Sequence, residues 1–281
     1  MLNPSKGAQE NDLAAITIPW TRLPLRFDAG LLRAEVQAIA EAAWVPHFNQ
    51  ADYEGRWSSV ALRSKSGRVD DITAQGSIEE FRDTPLAAQC PHLQAVMAAF
   101  AFPQKSVRLL RLHAGSRVRE HRDADLGLAD GELRIHVPVV TSEQVEFVVA
   151  NRRLMLREGE AWYIDFSQPH RIDNRGASDR IHLILDGTLN EWAAALLQRS
   201  VEEIVTETFE PAGAAGFRVF REMVFEDLQL QEEMLRAAER PRFLQAVVAA
   251  GAERGYGFGM AEVESILNQR RREWMERSVG A

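Results

Sequence analysis

Residues 132–140 read ELRIHVPVV. Polar and apolar positions alternate along this stretch. Leu133, Ile135 and Val137 leave one face of an extended chain, and Arg134, His136 and Pro138 leave the other. Similar segments surround it. Between Val107 and Gly187 the chain runs through VRLLRLH, VEFVVAN, RRLMLRE, EAWYIDF, HRIDN and DRIHLILDG, with short turns between them. Many short strands at regular spacing argue for a sandwich or a barrel. A barrel-like β core is therefore expected over Val107–Gly187.

The flanks carry a different period. DAGLLRAEVQAIAEAA (Asp28–Ala43) places Leu31, Leu32, Val36 and Ile39 on one helical stripe, with Asp28 as N-cap. A second helix is expected over Leu86–Phe100, with Leu93, Val96 and Met97 inward. WSSVALRS (Trp57–Ser64) reads as a strand, and SGRVDDITAQGS as a polar loop. After Gly187 the strands stop. TLNEWAAALLQRSVEEIV is helical, and FEPAGAAGF is a Pro/Gly-rich hinge. Three helices are expected beyond it. FREMVFEDLQLQEEMLRAA carries Phe220, Met223, Val224 and Leu228 on one stripe. PRFLQAVVAAGAERGYGF opens at Pro241 and stops at Gly255. MAEVESILNQRRREWMERS closes the chain. The expected organisation is a flexible lead-in (1–14), a β domain with flanking helices (15–210) and a small helical domain (211–281).

Composition narrows the partners. The chain has 281 residues and a net charge of −8, which disfavours a nucleic-acid partner because phosphate binding needs a basic face. A single cysteine, Cys90, excludes an internal disulfide framework and a cysteine-based zinc site. It reads as a buried, neutral thiol. No apolar run reaches the ~18 residues of a membrane span, and the first residues lack a signal-peptide core. A cytoplasmic protein is the expectation, with a homodimer allowed.

Within the strand block few residues carry chemistry. EHRDADLG (Glu120–Gly127) sets His121 and Asp123 two apart, so both side chains leave the same face of an extended segment. FSQPHRIDN supplies a further imidazole, His170. Two histidines and a carboxylate form a facial triad with open positions, the ligand set of non-haem Fe(II) oxygenases. If the co-substrate is a 2-oxo acid, its distal carboxylate needs a cation, best a guanidinium that grips both oxygens. Arg180 lies ten residues after His170, at the start of RIHLILD. Arg134 and His136 alternate onto one strand face and suit the second carboxylate.

RLLRLHAGSRVREHRD, LRIHVPVV and GEAWYIDFSQPHRIDNRGASDRIHLILD together resemble the aspartyl/asparaginyl β-hydroxylase family, which includes bacterial free-proline hydroxylases. The upstream WVPHFNQADYEGRWSSVALRS is similar to the family's N-terminal segment. The resemblance implies a double-stranded β-helix, a cupin-like jelly roll, followed here by a helical domain. It implies iron held by His121, Asp123 and His170, 2-oxoglutarate held by Arg180, and Arg134 and His136 touching the same co-substrate. The implied reaction uses Fe(II), 2-oxoglutarate and O2 to hydroxylate a free amino acid or an amino-acid residue in a peptide, releasing succinate and CO2. The mammalian branch lacks the aspartate kept here as Asp123, so its protein substrate does not transfer.

Phe220–Leu267 also resembles the nitrogen-fixation-associated leader domain, a helical module found in precursors of modified ribosomal peptides; a helical C-terminal portion of the proline hydroxylases is the plainer alternative. The remaining histidines, His47, His92, His113 and His182, read as structural, with His182 on the face of Arg180. Trp44, His47, Asn49 and Tyr53 either rim the substrate pocket or pack. NQRRREW reads as a solvated helix end. Two other readings stay open. One is a non-catalytic cupin-like binder of a small carboxylate, gripping it with Arg134 and Arg180. The other is a metal-dependent isomerase or hydrolase.

Overall fold

The computed structural model describes residues 18–268 except 124, 125, 151, 203–207, 210–212 and 238; the expected lead-in 1–14 and the end of the last helix, including most of NQRRREW, lie outside the described residues. The chain divides into two compact units. The first holds residues up to 150 and 154–207, and the second holds 151–153 and 208 onward. The sequence reading divides the chain at 210/211.

The first unit is a double-stranded β-helix. Its strands are β1 (Trp20–Arg26), β2 (Val45–Pro46), β3 (Tyr53–Glu54), β4 (Trp57–Ser64), β5 (Arg82–Asp83), β6 (Gln104–Leu112), β7 (Arg117–His121), β8 (Glu132–Val140) and β9 (Val145–Val149). After β10 (Arg152–Leu154), at the division between the units, come β11 (Glu160–Ile164), β12 (His170–Asn174) and β13 (Arg180–Thr188). One sheet has the order β1-β11-β8-β13-β6-β4-β2, with β5 beside β4; the other includes β9-β12-β7-β3. Neighbours in both pair antiparallel.

Alternation decides which residues meet. On β6 and β13, Val107, Leu109, Ile181, Leu183 and Leu185 join Leu133, Ile135 and Val137 of β8 in one core. Helices α1 (Ala29–Ala38), α2 (Pro91–Ala98) and α3 (Glu191–Glu202) cover it through Leu32, Val36, Leu93, Val96, Leu196 and Leu197. The opposite residues of the same strands, Leu110, Leu112 and Ile184, face a second core with Phe147, Trp162, Phe166 and Ile172. Each such Leu, Ile or Phe contributes roughly 1.5–3 kcal/mol by leaving water. Arg134, His136, Arg180, His182 and Asp186 stand on this inner face by the same period of two.

Local signals explain the covering helices. The Asp28 side chain caps α1 by accepting from the Leu31 amide at 3.1 Å. Glu35 of α1 then accepts from the amides of His92 and Leu93, at 2.7 and 2.9 Å, and so caps α2. Pro91 opens α2, where its missing N–H costs nothing. The helices are shorter than expected. The stretch Glu41–Ala43 is a separate 3-10 turn, and so is Ala87–Gln89.

The second unit holds β14 (Thr208–Phe209), α4 (Ala214–Glu226), α5 (Leu228–Leu235) and α6 (Arg240–Glu253), and residues 260–268 are helical. Phe217, Phe220, Leu230, Leu244, Val247 and Phe258 form its own core. Two expectations need correction here. The hinge 209–217 already contains the start of α4. The stripe from Phe220 to Leu228 is broken, because the Asp227 carboxylate accepts from the amides of Gln229 and Leu230 and starts a new helix. Leu228 is consequently exposed. Among the described residues no helix is long and apolar enough to cross a membrane.

Candidate metal centre and its cavity

Strand pairing brings the expected triad together. His121 ends β7 and His170 begins β12, and the two residues are partners in the ladder, with a register irregularity just after His170. Their rings lie 4.2 Å apart, centroid to centroid. Asp123 follows two residues beyond His121, and its amide is fixed by the Phe166 carbonyl at 3.0 Å. One ligand atom from each of His121, Asp123 and His170 lies within 4.8 Å of the others.

Each ligand is oriented from behind. His121 Nδ1 meets the Arg119 carbonyl at 2.8 Å and His170 Nδ1 meets the Gln168 carbonyl at 3.0 Å. A carbonyl only accepts, so Nδ1 carries the hydrogen in both rings and Nε2 is left as the ligand atom. Asp123 Oδ1 faces His121 Nε2 at 3.4 Å, while Oδ2 accepts from Arg134 Nη1 at 2.6 Å. Burial works against the Asp123 carboxylate, but His121, Arg134 and His170 outweigh it and hold its pKa well below the usual range. Burial and the nearby His121 charge push His170 down to about 4. Neutral His170 and ionised Asp123 are the forms a cation binds, whereas His121, raised against its burial by Asp123 and the Arg119 carbonyl, gives up its proton on binding.

The triad opens into a cavity of about 570 Å³. Arg134, His136 and Arg180 line it, as the alternation predicts. Their partners differ. Arg134 is committed to protein carboxylates: Nε and Nη2 hold Asp186 at 2.5 and 3.3 Å, and Nη1 holds Asp123. The sequence reading sets it against the co-substrate; in the structure both edges of its guanidinium are already paired. Arg180, 1 % exposed, has no acidic partner among the described residues. Burial therefore pushes its pKa down to about 9. His136, deeply buried, stacks on Phe166 at 4.8 Å.

The group read from the sequence as either pocket rim or packing divides between the two. His47 stacks on Trp57 with centroids 3.7 Å apart, and both line the cavity; burial pushes His47 down to about 3. Asn49 lines it too, whereas Trp44 lies in the core behind α1 and Tyr53 packs edge-on against Trp57. Residues 74–76 of the polar loop form part of the wall. Arg108 ties that loop down: Nη1 donates to the Ile72 carbonyl at 2.8 Å and Nη2 to Asp186 at 2.6 Å. The alternation of VRLLRL was the available signal, since it sets Arg108 on the inner face with Leu110 and Leu112. His113 bonds Ser58 and Asp179 instead, and His92 is exposed. Cys90 is buried, with its thiol pushed up to about 11 by desolvation.

The family model described as aspartyl/asparaginyl β-hydroxylase matches residues 27–188, more than half of the chain. The chain belongs to the aspartyl/asparaginyl β-hydroxylase family. The matched span of this β-hydroxylase-family chain contains the triad, Arg134, His136 and Arg180. It is 22% identical over 185 residues to an L-proline cis-4-hydroxylase of Rhizobium meliloti (strain 1021), a match covering 65% of each protein and thus just under two thirds of that relative's length. Among solved structures it is similar to an oxidoreductase of the 2OG-Fe(II) oxygenase family from Burkholderia pseudomallei. There the identity is 14% and the TM-score 0.42, over 68% of this chain and 97% of that one. A Pseudomonas putida prolyl-4-hydroxylase is likewise 14% identical, with a TM-score of 0.38 over 64% of this chain and 97% of its own.

Proposed function

We propose that this protein is an Fe(II)- and 2-oxoglutarate-dependent hydroxylase. Its substrate carries an unactivated C–H in a free amino acid or in an amino-acid residue of a peptide, and succinate and CO2 are released. The observation that carries this reading is the pairing of a three-ligand cluster with a buried, acid-free guanidinium in one cavity. The donor set of two imidazole nitrogens and one carboxylate oxygen suits Fe(II) and leaves coordination positions open.

His121, Asp123 and His170 hold the metal, with Arg134 orienting Asp123 from behind. Arg180 seats the distal carboxylate of 2-oxoglutarate by a charge-assisted hydrogen bond. When bound, Fe(II) with 2-oxoglutarate and O2 supplies the oxidising power for C–H hydroxylation. The surrounding Leu110, Val118, Phe166 and Ile172 keep that part of the cavity apolar and poor in water. No general base is needed, in keeping with a cavity whose histidines are metal ligands or buried neutral rings.

Anaerobic addition of Fe(II) and 2-oxoglutarate tests the reading, because a bound pair gives a visible charge-transfer band. A protein that binds the co-substrate and stays colourless is the carboxylate binder instead. That alternative is disfavoured because Arg134 is already paired. A screen of free amino acids and peptides for substrate-stimulated CO2 release then identifies the substrate.

A further inference from the structure

Arg180 is the bulkiest of the fully buried side chains described. Among the described residues the one hydrogen-bond acceptor its guanidinium meets is Nδ1 of His182, at 2.8 Å. A guanidinium only donates, so this nitrogen accepts and the His182 hydrogen sits on Nε2. Nδ1 of His136 stands 3.4 Å from the same nitrogen, with the rings nearly perpendicular at 81°. Burial, then the Arg180 charge, holds both imidazoles neutral. Phe147 packs beneath, its ring centre 5.4 Å from the guanidinium carbon.

A long cationic side chain without a carboxylate partner has several rotamers of similar energy, and fixing one costs conformational entropy. His182 removes that freedom before any ligand arrives. It holds the Nη2 corner, and Arg180 lines the cavity that contains the triad. The distance from the fixed fork to the metal ligands then becomes a ruler.

We propose that His182 is a positioning residue that sets the chain-length selectivity for the 2-oxo diacid: it locks Arg180 at the reach of a five-carbon co-substrate. This rests on the reading of Arg180 as the co-substrate anchor. Among the described residues His182 meets Arg180 and His136 rather than the three metal ligands.

The test uses full-length protein carrying His182→Leu or His182→Asn. KM and kcat for co-substrate turnover, affinity for 2-oxoglutarate and for the six-carbon 2-oxoadipate, and Mn(II) affinity are compared with wild type. Loss of one charge-assisted hydrogen bond in the Leu variant raises the 2-oxoglutarate KM roughly tenfold. kcat and Mn(II) affinity stay unchanged, and the preference over 2-oxoadipate narrows. The Asn variant, whose amide oxygen takes the place of Nδ1, recovers most of the loss. Wild-type KM and selectivity in the Leu variant overturn the proposal, and so does equal impairment of both variants together with their Mn(II) affinity. If the Leu variant does not fold, His182→Gln, with its amide one bond farther out, replaces it. Asn matching Gln then overturns the proposal, and Asn surpassing Gln sustains it. A wild-type protein that binds no 2-oxoglutarate fails the underlying reading; one that binds it with selectivity indifferent to His182 fails only this one.

Discussion

Arg134 and Asp186 meet in a two-point ion pair, Nε to Oδ1 at 2.5 Å and Nη2 to Oδ2 at 3.3 Å, and the remaining Nη1 holds the metal-facing carboxylate of Asp123. Asp186 is also held by Arg108. Four charges of alternating sign thus run from the Ile72 loop to the triad. Asp186→Asn weakens the inner end of this chain. Metal affinity is expected to fall by roughly 10–100-fold, the usual scale for partners behind a ligand. Calorimetric titration with Mn(II) measures it; wild-type affinity would mean that Arg134 orients Asp123 unaided.

His170→Ala and Asp123→Ala each remove one of three ligands. Both are expected to abolish succinate formation from 2-oxoglutarate in the absence of substrate, with secondary structure retained by circular dichroism. Near-normal uncoupled turnover in either variant rules out the assigned ligand set.

Arg180→Met exchanges a buried, acid-free charge for an apolar side chain of similar length. Such a charge is costly to bury, so the apoprotein is expected to gain on the order of 1–3 kcal/mol. The rise in melting temperature that 2-oxoglutarate gives the wild type by mass action is lost. Thermal scans with and without 2-oxoglutarate read both effects. Co-substrate protection that survives in the variant places the anchor elsewhere.

The buried histidines make the apoprotein acid-sensitive. His47 and His170 titrate at about 3 and about 4 when folded, against about 6.5 unfolded. His136 and His182 are shifted the same way. As pH falls below about 6.5 the unfolded chain takes up protons that the folded chain refuses, so stability drops. His121, whose raised pKa acts in the opposite sense, offsets part of this. Urea unfolding of apoprotein from pH 7.5 to 4.5 is expected to show a steady fall, flattened in His47→Gln. A flat wild-type profile contradicts the neutral burial of these rings.

In the second unit, Gly251 lies in α6 directly against the Phe258 ring, where a Cβ would collide with ring carbons. Gly251→Ala ordinarily favours a helix by about 1 kcal/mol. Here overpacking outweighs it, and a net loss of about 1–3 kcal/mol is expected in thermal unfolding of the full chain. A stabilised variant would show that the ring yields.

The strand block and the His121/Asp123 pair were legible because both are local, whereas His170, from a distant segment, joined them through the ligand count and the family resemblance. Alternation over Glu132–Val140 assigns each side chain a face, and His121 and Asp123 lie within one short segment. The charge chain was not legible, since Arg108, Asp186 and Arg134 come from three strands whose order only the folded sheet supplies. The cavity wall at 74–76 escaped because polar loop composition says nothing about what a loop covers. The break at Asp227 was hidden by apolar spacing that continues to Leu228, although an aspartate followed by free amides is a helix start as readily as a solvated interior residue.

His121 and His170 already oppose each other across one rung of a ladder, so taking up a cation asks for little beyond side-chain adjustment. Redox-silent ions are therefore expected to enter the apoprotein without refolding. That yields a chemically inert but shape-faithful form in which substrate candidates can be soaked and seen before any turnover consumes them.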